Sequence, residues 1–161
     1  MDDLAKTLAA LHNRGVGGFF VVIVDADEKN STLNILQTGQ GGLSLPSRDY
    51  YFDEKFEKQR AAFLEHVAKM FTLAGDTPEA AAAEAKTLFE AEKGLAQKAK
   101  TPTQLRDSLA NYNKMKTADV AAKIPAFPFM TYLAERGIGG PRRGRDRLRP
   151  AAMVLRACRS S

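Results

Sequence analysis

Residues 38–51, TGQGGLSLPSRDYY, constrain the fold most, because they separate two different hydrophobic patterns. Before them, residues 19–24 form an uninterrupted apolar run, which is typical of a strand covered on both faces. After them, apolar residues recur at helical spacing as far as residue 74. Three glycines and one proline in residues 38–47 predict a loop between the two patterns. We therefore expect a structural joint at which a β-hairpin gives way to a long helix.

The other patterns predict a mainly α chain with one small β-hairpin. The hairpin is expected over residues 19–37, with a polar turn of moderate length at residues 25–30. Apolar spacing and helix-end signals predict further helices at residues 2–13, 53–74, 77–99 and 104–110, from Thr117 onwards, and from Pro128 to about residue 136.

Helix-end residues define the two long helices. Asp53 is expected to cap the first of them and Gly75 to end it. Thr77 and Pro78 are typical of a helix start, and they predict the beginning of the second. The side chains of this second helix that are expected to face inward are those of Ala81, Ala85, Leu88, Leu95 and Ala99.

The net charge of +5 is distributed unevenly. Residues 137–161 contain seven arginines, no lysine and one acidic residue, whereas residues 1–136 contain 17 basic and 18 acidic residues. The longer part therefore has no basic character that would indicate nucleic-acid binding. We interpret residues 137–161 as a basic, arginine-rich tail that is non-native or disordered and arises from a shifted reading frame. A genuine basic arm for nucleic acid or an anionic membrane is the alternative.

The sequence contains no recognisable catalytic or metal-binding motif. A His-Glu-x-x-His zinc site needs two imidazoles on one helix face with a glutamate as general base. The only histidines, His12 and His66, are 54 residues apart, and neither stands in that pattern. Residues 39–42 are glycine-rich but lack the ending of a phosphate-binding loop, and a single cysteine, Cys158, excludes an intramolecular disulfide. We expect no catalytic residue and no metal ligand in this chain.

Three motifs follow one another between about residues 10 and 136. The first follows the hairpin pattern and comprises Leu45, Pro46, Arg48, Asp49, Tyr50 and Tyr51. The second runs from Phe89 and Glu90 through Leu95 and Ala96, and the third consists of Arg106 and Asp107 followed by Tyr112 and Asn113. Together they resemble the N-terminal region of neprilysin-like zinc metallopeptidases, peptidase family M13. That family's first element reads Q-x-G-L-x-L-P-x-R-D-Y-Y. Phe89 departs from the usual leucine, and Lys116 lengthens the last motif by one residue.

The resemblance implies that the cap and the catalytic residues belong to different parts of a longer protein. Residues 1–136 resemble part of a mostly helical cap, which in the family limits peptide access to a C-terminal domain carrying the zinc ligands and the catalytic acids. The motif residues are then expected to form a structural joint; lining of the substrate chamber is the alternative. Arg48 is expected to bind a carboxylate or backbone carbonyls, and Tyr50 and Tyr51 to bury their rings.

The expected function is that of a fragment of a neprilysin-like zinc metalloendopeptidase that is inactive by itself. Zinc and a peptide substrate are expected only in the full-length parent, and no cofactor is expected in this chain. A stand-alone helical binding module is the alternative, followed by a nucleic-acid binder that acts through the tail.

The expected partners are the missing catalytic domain and a second copy of the chain, because a cut-out piece exposes apolar surface; neither nucleic acid nor a membrane is expected. No signal peptide or transmembrane segment is recognised, whereas the resemblance points to parents that are secreted, periplasmic or membrane-anchored.

Overall fold

A computed structural model describes residues 1–138 and the backbone of residues 152–155. The described residues form two compact units. The first unit contains residues 1–41, 108–138 and 152–155, and the second contains residues 42–107. The mainly α fold class with a β-hairpin is confirmed.

The predicted hairpin is present in the first unit, but its turn is tighter and its second strand longer than expected. Strand β1 (Phe20–Asp27) pairs antiparallel with strand β2 (Asn30–Gln40), and only Glu28 and Lys29 separate them. The moderate loop at residues 25–30 was therefore wrong, as was the loop assigned to residues 38–40. Those three residues pair with residues 20–22. The hydrogen bonds of this pairing engage their backbone N–H and C=O groups, which outweighs the preference of Gly39 for a loop.

Only one face of β1 is covered, so the prediction that residues 19–24 form a strand buried on both faces was also wrong, whereas β2 is buried on both faces from Ile35 to Thr38. Val22 is buried, whereas Val21 and Ile23 are 47% and 48% exposed. The buried face packs against helices of the same unit: α1 (Asp2–Asn13), which was predicted with these ends, α7 (Thr117–Lys123) and α8 (Phe129–Glu135). The core that they share consists of Ala5, Leu8, Ala9, Val22, Leu36, Val120, Phe129, Tyr132 and Leu133.

Two short strands that the sequence did not predict extend the hairpin. They are β3 (Lys114–Lys116) and β4 (Ala152–Leu155). The sheet order is β1-β2-β4-β3, with β4 parallel to β2 and antiparallel to β3. Strands of three and four residues carry too little periodicity to be recognised in a sequence. The remainder of the proposed non-native tail, residues 139–151 and 156–161, lies outside the described residues, so its interpretation stays a prediction.

The second unit is built on two long helices, α3 (Glu57–Ala74) and α4 (Pro78–Lys98). Their connection was predicted correctly: Gly75 ends α3 with a φ of 118°, and Thr77 Oγ1 accepts a hydrogen bond from the Ala80 N–H at 3.3 Å. The start of α3 was not. Asp53 has an extended backbone and makes no side-chain cap, because it separates helix α2 (Asp49–Phe52) from a 3₁₀ turn at Glu54–Phe56.

The buried face of α4 was predicted correctly at Ala81 and Ala85, but beyond them it differs from the predicted one. Leu88 is on the exposed side, whereas the buried residues are Ala81, Ala85, Phe89, Glu92 and Ala96. The predicted helix at residues 104–110 is divided into α5 (Pro102–Leu105) and α6 (Ser108–Asn111). Thr117 is the first residue of α7 and not its cap, because Lys116 occupies the N-cap position. No described helix has the length and apolar character needed to cross a membrane.

Candidate functional site

The first motif forms a turn in the second unit that ends in helix α2. Gly42 has a φ of 79°, a backbone conformation that a residue with a side chain adopts only under strain. Beyond it, Leu45 and Tyr51 are buried against Phe89 and Ala96 of α4. The Tyr51 ring stacks on Phe89 at 5.6 Å between ring centroids. The apolar side chains of the motif therefore pack the turn against the long helix α4.

The polar centre of this turn is Glu92, a buried carboxylate on α4. The Tyr51 hydroxyl donates to Glu92 Oε2 at 2.5 Å, and the Ser44 hydroxyl donates to Oε1 at 2.6 Å. The Ser44 backbone N–H also donates to Oε2 at 3.3 Å, and the Leu45 N–H donates to the Tyr51 hydroxyl oxygen at 3.2 Å. Burial and the hydrogen bond to Glu92 raise the pKa of Tyr51 to about 12. Tyr51 is therefore a hydroxyl donor at neutral pH, and the carboxylate accepts from three donors of the turn.

Glu92 was missed by the sequence reasoning because a glutamate in a helix is usually solvated. Its position carried a signal nonetheless. Residues 81, 85, 89, 92 and 96 recur at spacings of three and four, so residue 92 lies on the face that Phe89 and the alanines define.

The expected role of Arg48 is taken by another arginine. Arg60 Nη1 donates to the backbone carbonyls of Tyr50 at 2.9 Å and Asp53 at 2.7 Å. The Arg48 guanidinium instead lies 5.9 Å from the centroid of the Phe52 ring. Tyr50 is only partly buried and stacks on Phe56 at 3.8 Å. Arg60 lies outside the motif, in the first turn of α3. The motif pattern therefore gave no sign that Arg60 binds the two carbonyls.

The third motif contributes to a second carboxylate centre, in the first unit. Asp27, at the end of β1, is 1% exposed. Its Oδ1 accepts from the Tyr112 hydroxyl at 2.8 Å and from the Lys29 backbone N–H at 3.0 Å, while Lys114 Nζ lies 2.5 Å from Oδ2. Lys29 Nζ also lies 4.4 Å from the centroid of the Tyr112 ring. The hairpin turn is thus tied to the segment that begins β3.

These contacts set the ionisation of the second centre. Hydrogen bonding from Lys114, followed by that from the Lys29 backbone, lowers the pKa of Asp27 to about 2. The same contact with Asp27 raises the pKa of Lys114, and burial raises that of Tyr112. Asp27 and Lys114 therefore remain an ion pair at neutral pH.

The other predicted motif residues differ in their exposure. Pro46, Arg106 and Asp107 are exposed, and Asp49 lies in the first turn of α2. Asn113 is partly buried, and its side chain donates to the Ala110 carbonyl at 3.4 Å. Three of the predicted motif residues contribute to the carboxylate centres, namely Leu45 and Tyr51 at Glu92 and Tyr112 at Asp27.

The two histidines do not form a metal site with other described residues. His12 Nδ1 lies 2.7 Å from the Tyr132 hydroxyl, and its ring packs edge-on against Phe20. Burial, with a smaller contribution from the positive charge of Arg136, lowers the pKa of His12. His66 is exposed on α3. Within the described part of the chain, no three His, Cys, Asp or Glu side chains are grouped so that they can hold a metal ion.

Comparisons with known proteins agree on one family. A family model described as peptidase family M13 matches residues 1–155. The endothelin-converting enzyme homolog of Locusta migratoria is 35% identical over 125 residues, and human endothelin-converting enzyme 1 is 33% identical over 117 residues. These alignments cover 76% and 71% of the chain but only 17% and 15% of the two relatives.

Solved structures show the same relationship. The chain superposes on the inhibitor complex of the zinc metalloprotease Zmp1 from Mycobacterium tuberculosis with a TM-score of 0.86 and 29% identity, covering 97% of this chain and 23% of Zmp1. PepO from Lactobacillus rhamnosis HN001 has the same fold, with a TM-score of 0.69 at 18% identity, over 97% of this chain and 24% of PepO. By its matched residues and its fold, the chain belongs to peptidase family M13.

Proposed function

We propose that this chain serves as part of the N-terminal region of a neprilysin-like zinc metalloendopeptidase and does not hydrolyse peptides by itself. The observation that carries the proposal is the family match over residues 1–155 in a sequence that contains no His-Glu-x-x-His motif. The chain also spans less than a quarter of the related zinc metalloprotease Zmp1.

The motif residues act as structural supports in this proposal. The oxygens of Glu92 accept hydrogen bonds from the turn that the first motif forms, and those of Asp27 accept from Lys114, Tyr112 and the hairpin turn. A general base must be within reach of the proton that it removes from the substrate or water. Two buried carboxylates held by internal donors are better suited to fixing the backbone than to that task.

The residues present do not fit the zinc ion of the family. His12 uses Nδ1 in its contact with Tyr132, its Nε2 is buried, and His66 has no second histidine four residues away. We therefore assign zinc binding and peptide hydrolysis to the remainder of the parent protein. That catalytic part is then the partner of this chain.

A chimera tests this assignment. The segment of Zmp1 that superposes on this chain would be replaced by residues 1–155, which include β4. Zinc-dependent peptide hydrolysis would be compared with that of a Zmp1 variant lacking the segment. We expect the chimera to bind zinc and to regain activity that the deletion variant lacks. A chimera that binds zinc and is no more active than the deletion variant would contradict the proposal.

A further inference from the structure

Strand β1 lies at the edge of the described sheet. The order β1-β2-β4-β3 gives β1 one neighbour, so the backbone groups on its other side have no strand partner among the described residues. An edge of this kind is a template for pairing with another strand. Natural edge strands are commonly protected by lysine, proline or a bulge within the strand. The first five residues of β1, FVVIV, contain no charge and no proline, and the one irregularity in the β1–β2 register lies at its far end, between Ala26 and Asp27.

The outer face of this edge is also uncovered. The side chains of Val21 and Ile23 are about half exposed and line an open groove of about 210 Å³ together with Asp25, Gln37, Thr38 and Gly39. A short uncharged segment of high β propensity at an exposed edge is the pattern that favours strand-to-strand association.

The apolar run of β1 is complementary to a second copy of itself, and its charges favour the antiparallel orientation of that copy. Parallel in-register pairing sets Asp25 and Asp27 beside their own counterparts, which is unfavourable. Antiparallel pairing centred on Val22 sets Phe20 opposite Val24, Val21 opposite Ile23, and Asp25 opposite the uncharged Phe19 of the other copy. Five consecutive apolar positions are then paired with apolar positions, and no two carboxylates face each other.

We propose that the chain forms a two-fold symmetric dimer in which the β1 edges of two copies pair antiparallel around Val22 and join the two sheets. The symmetry is closed, because each copy presents the same edge to the other. A β1 edge occupied in this way cannot add a third strand, so pairing through β1 stops at two chains.

Sedimentation velocity of the full chain over a concentration series tests the dimer, and a charge exchange tests its register. One variant carries Val21→Lys and Ile23→Lys, and the other carries Val21→Glu and Ile23→Glu. Each variant alone is expected to be a monomer, because like charges then occupy the facing positions. An equimolar mixture is expected to dimerise, because each lysine then faces a glutamate across the strands.

Leu33→Lys is the matched control, since Leu33 is 49% exposed and lies on β2 and not on the proposed β1 edge. This variant is expected to dimerise like the unmodified chain, with circular dichroism showing that all variants are folded. A monomeric unmodified chain, a dimer that survives the double lysine change, or a mixture that stays monomeric would overturn the proposal. None of these results bears on peptidase function, which is tested separately by the chimera.

Discussion

At the scale of single residues, two buried carboxylates hold together segments that are distant in sequence. Glu92 joins α4 to a turn that lies 41 to 48 residues earlier, and Asp27 joins the hairpin to residues that lie 85 and 87 positions later. A buried carboxylate is stable only when its oxygens have donors. Loss of one donor is therefore expected to cost more than loss of an exposed hydroxyl.

Tyr51→Phe tests the Glu92 centre. The change removes the hydroxyl that donates to Glu92 and accepts from the Leu45 N–H, while the ring stays in place against Phe89. We expect the free energy of unfolding to fall by about 1–3 kcal/mol, because buried partners lose their hydrogen bonds. Urea denaturation followed by circular dichroism measures it. Tyr50→Phe is the control and should change stability by less than about 0.5 kcal/mol; equal effects of the two changes would refute the role given to Tyr51.

The titration of Asp27 tests the second centre. Its pKa in the folded chain is about 2, below the ordinary value of 3.8. The unfolded chain therefore takes up the proton first, so the stabilisation from this group is complete above about pH 4 and is lost as the pH falls towards 2. Carboxyl-carbon NMR is expected to find this low pKa and to find a higher one in Lys114→Ala. An unchanged pKa in that variant would show that Lys114 is not its main cause.

At the scale of elements, local signals were read correctly wherever one residue type determines the backbone. Gly75 and Thr77 mark the end of α3 and the start of α4, because a left-handed glycine and a hydroxyl cap act within a few residues. The extent of β2 was misjudged because pairing with β1 outweighs the loop preference of Gly39. Asp53 failed as a cap because the chain enters α3 through a 3₁₀ turn. Such outcomes depend on tertiary partners that local sequence does not contain.

The packing of α1 against α8 is expected to depend on pH through His12. Burial and, to a smaller extent, the positive charge of Arg136 lower the pKa of His12 from 6.5, so the ring is neutral in the fold at pH 7. Protonation would place a second positive charge near that of Arg136. The buried Nε2 has no hydrogen-bond partner among the described residues that could stabilise this charge. The unfolded chain takes up this proton near pH 6.5, so stability is expected to fall as the pH drops below that value. Thermal unfolding at pH 7.5 and 5.5 should show a smaller difference in His12→Gln than in the unmodified chain. An identical pH dependence of the two proteins would exclude His12 as its source.

At the scale of the whole molecule, the motifs predicted the protein family better than they predicted the residues that form the two carboxylate centres. Leu45, Tyr51 and Tyr112 lie in the two carboxylate centres. Their partners Glu92 and Lys114 look like ordinary surface charges in the sequence, and so does Arg60, which binds two backbone carbonyls. The family was recognisable because motif residues fix turns and helix starts locally. The partners of those residues come from other elements and emerge only when the chain is folded.

The central claim, that this M13 chain is not a peptidase by itself, is tested most directly by zinc-dependent hydrolysis of a fluorogenic peptide. The purified chain would be saturated with zinc and assayed beside a complete M13 metalloprotease as positive control. We predict a rate equal to that of the zinc blank, and a zinc content after dialysis far below one ion per chain. Hydrolysis that rises with the concentration of the chain, is abolished by a chelator and returns with zinc would contradict the claim.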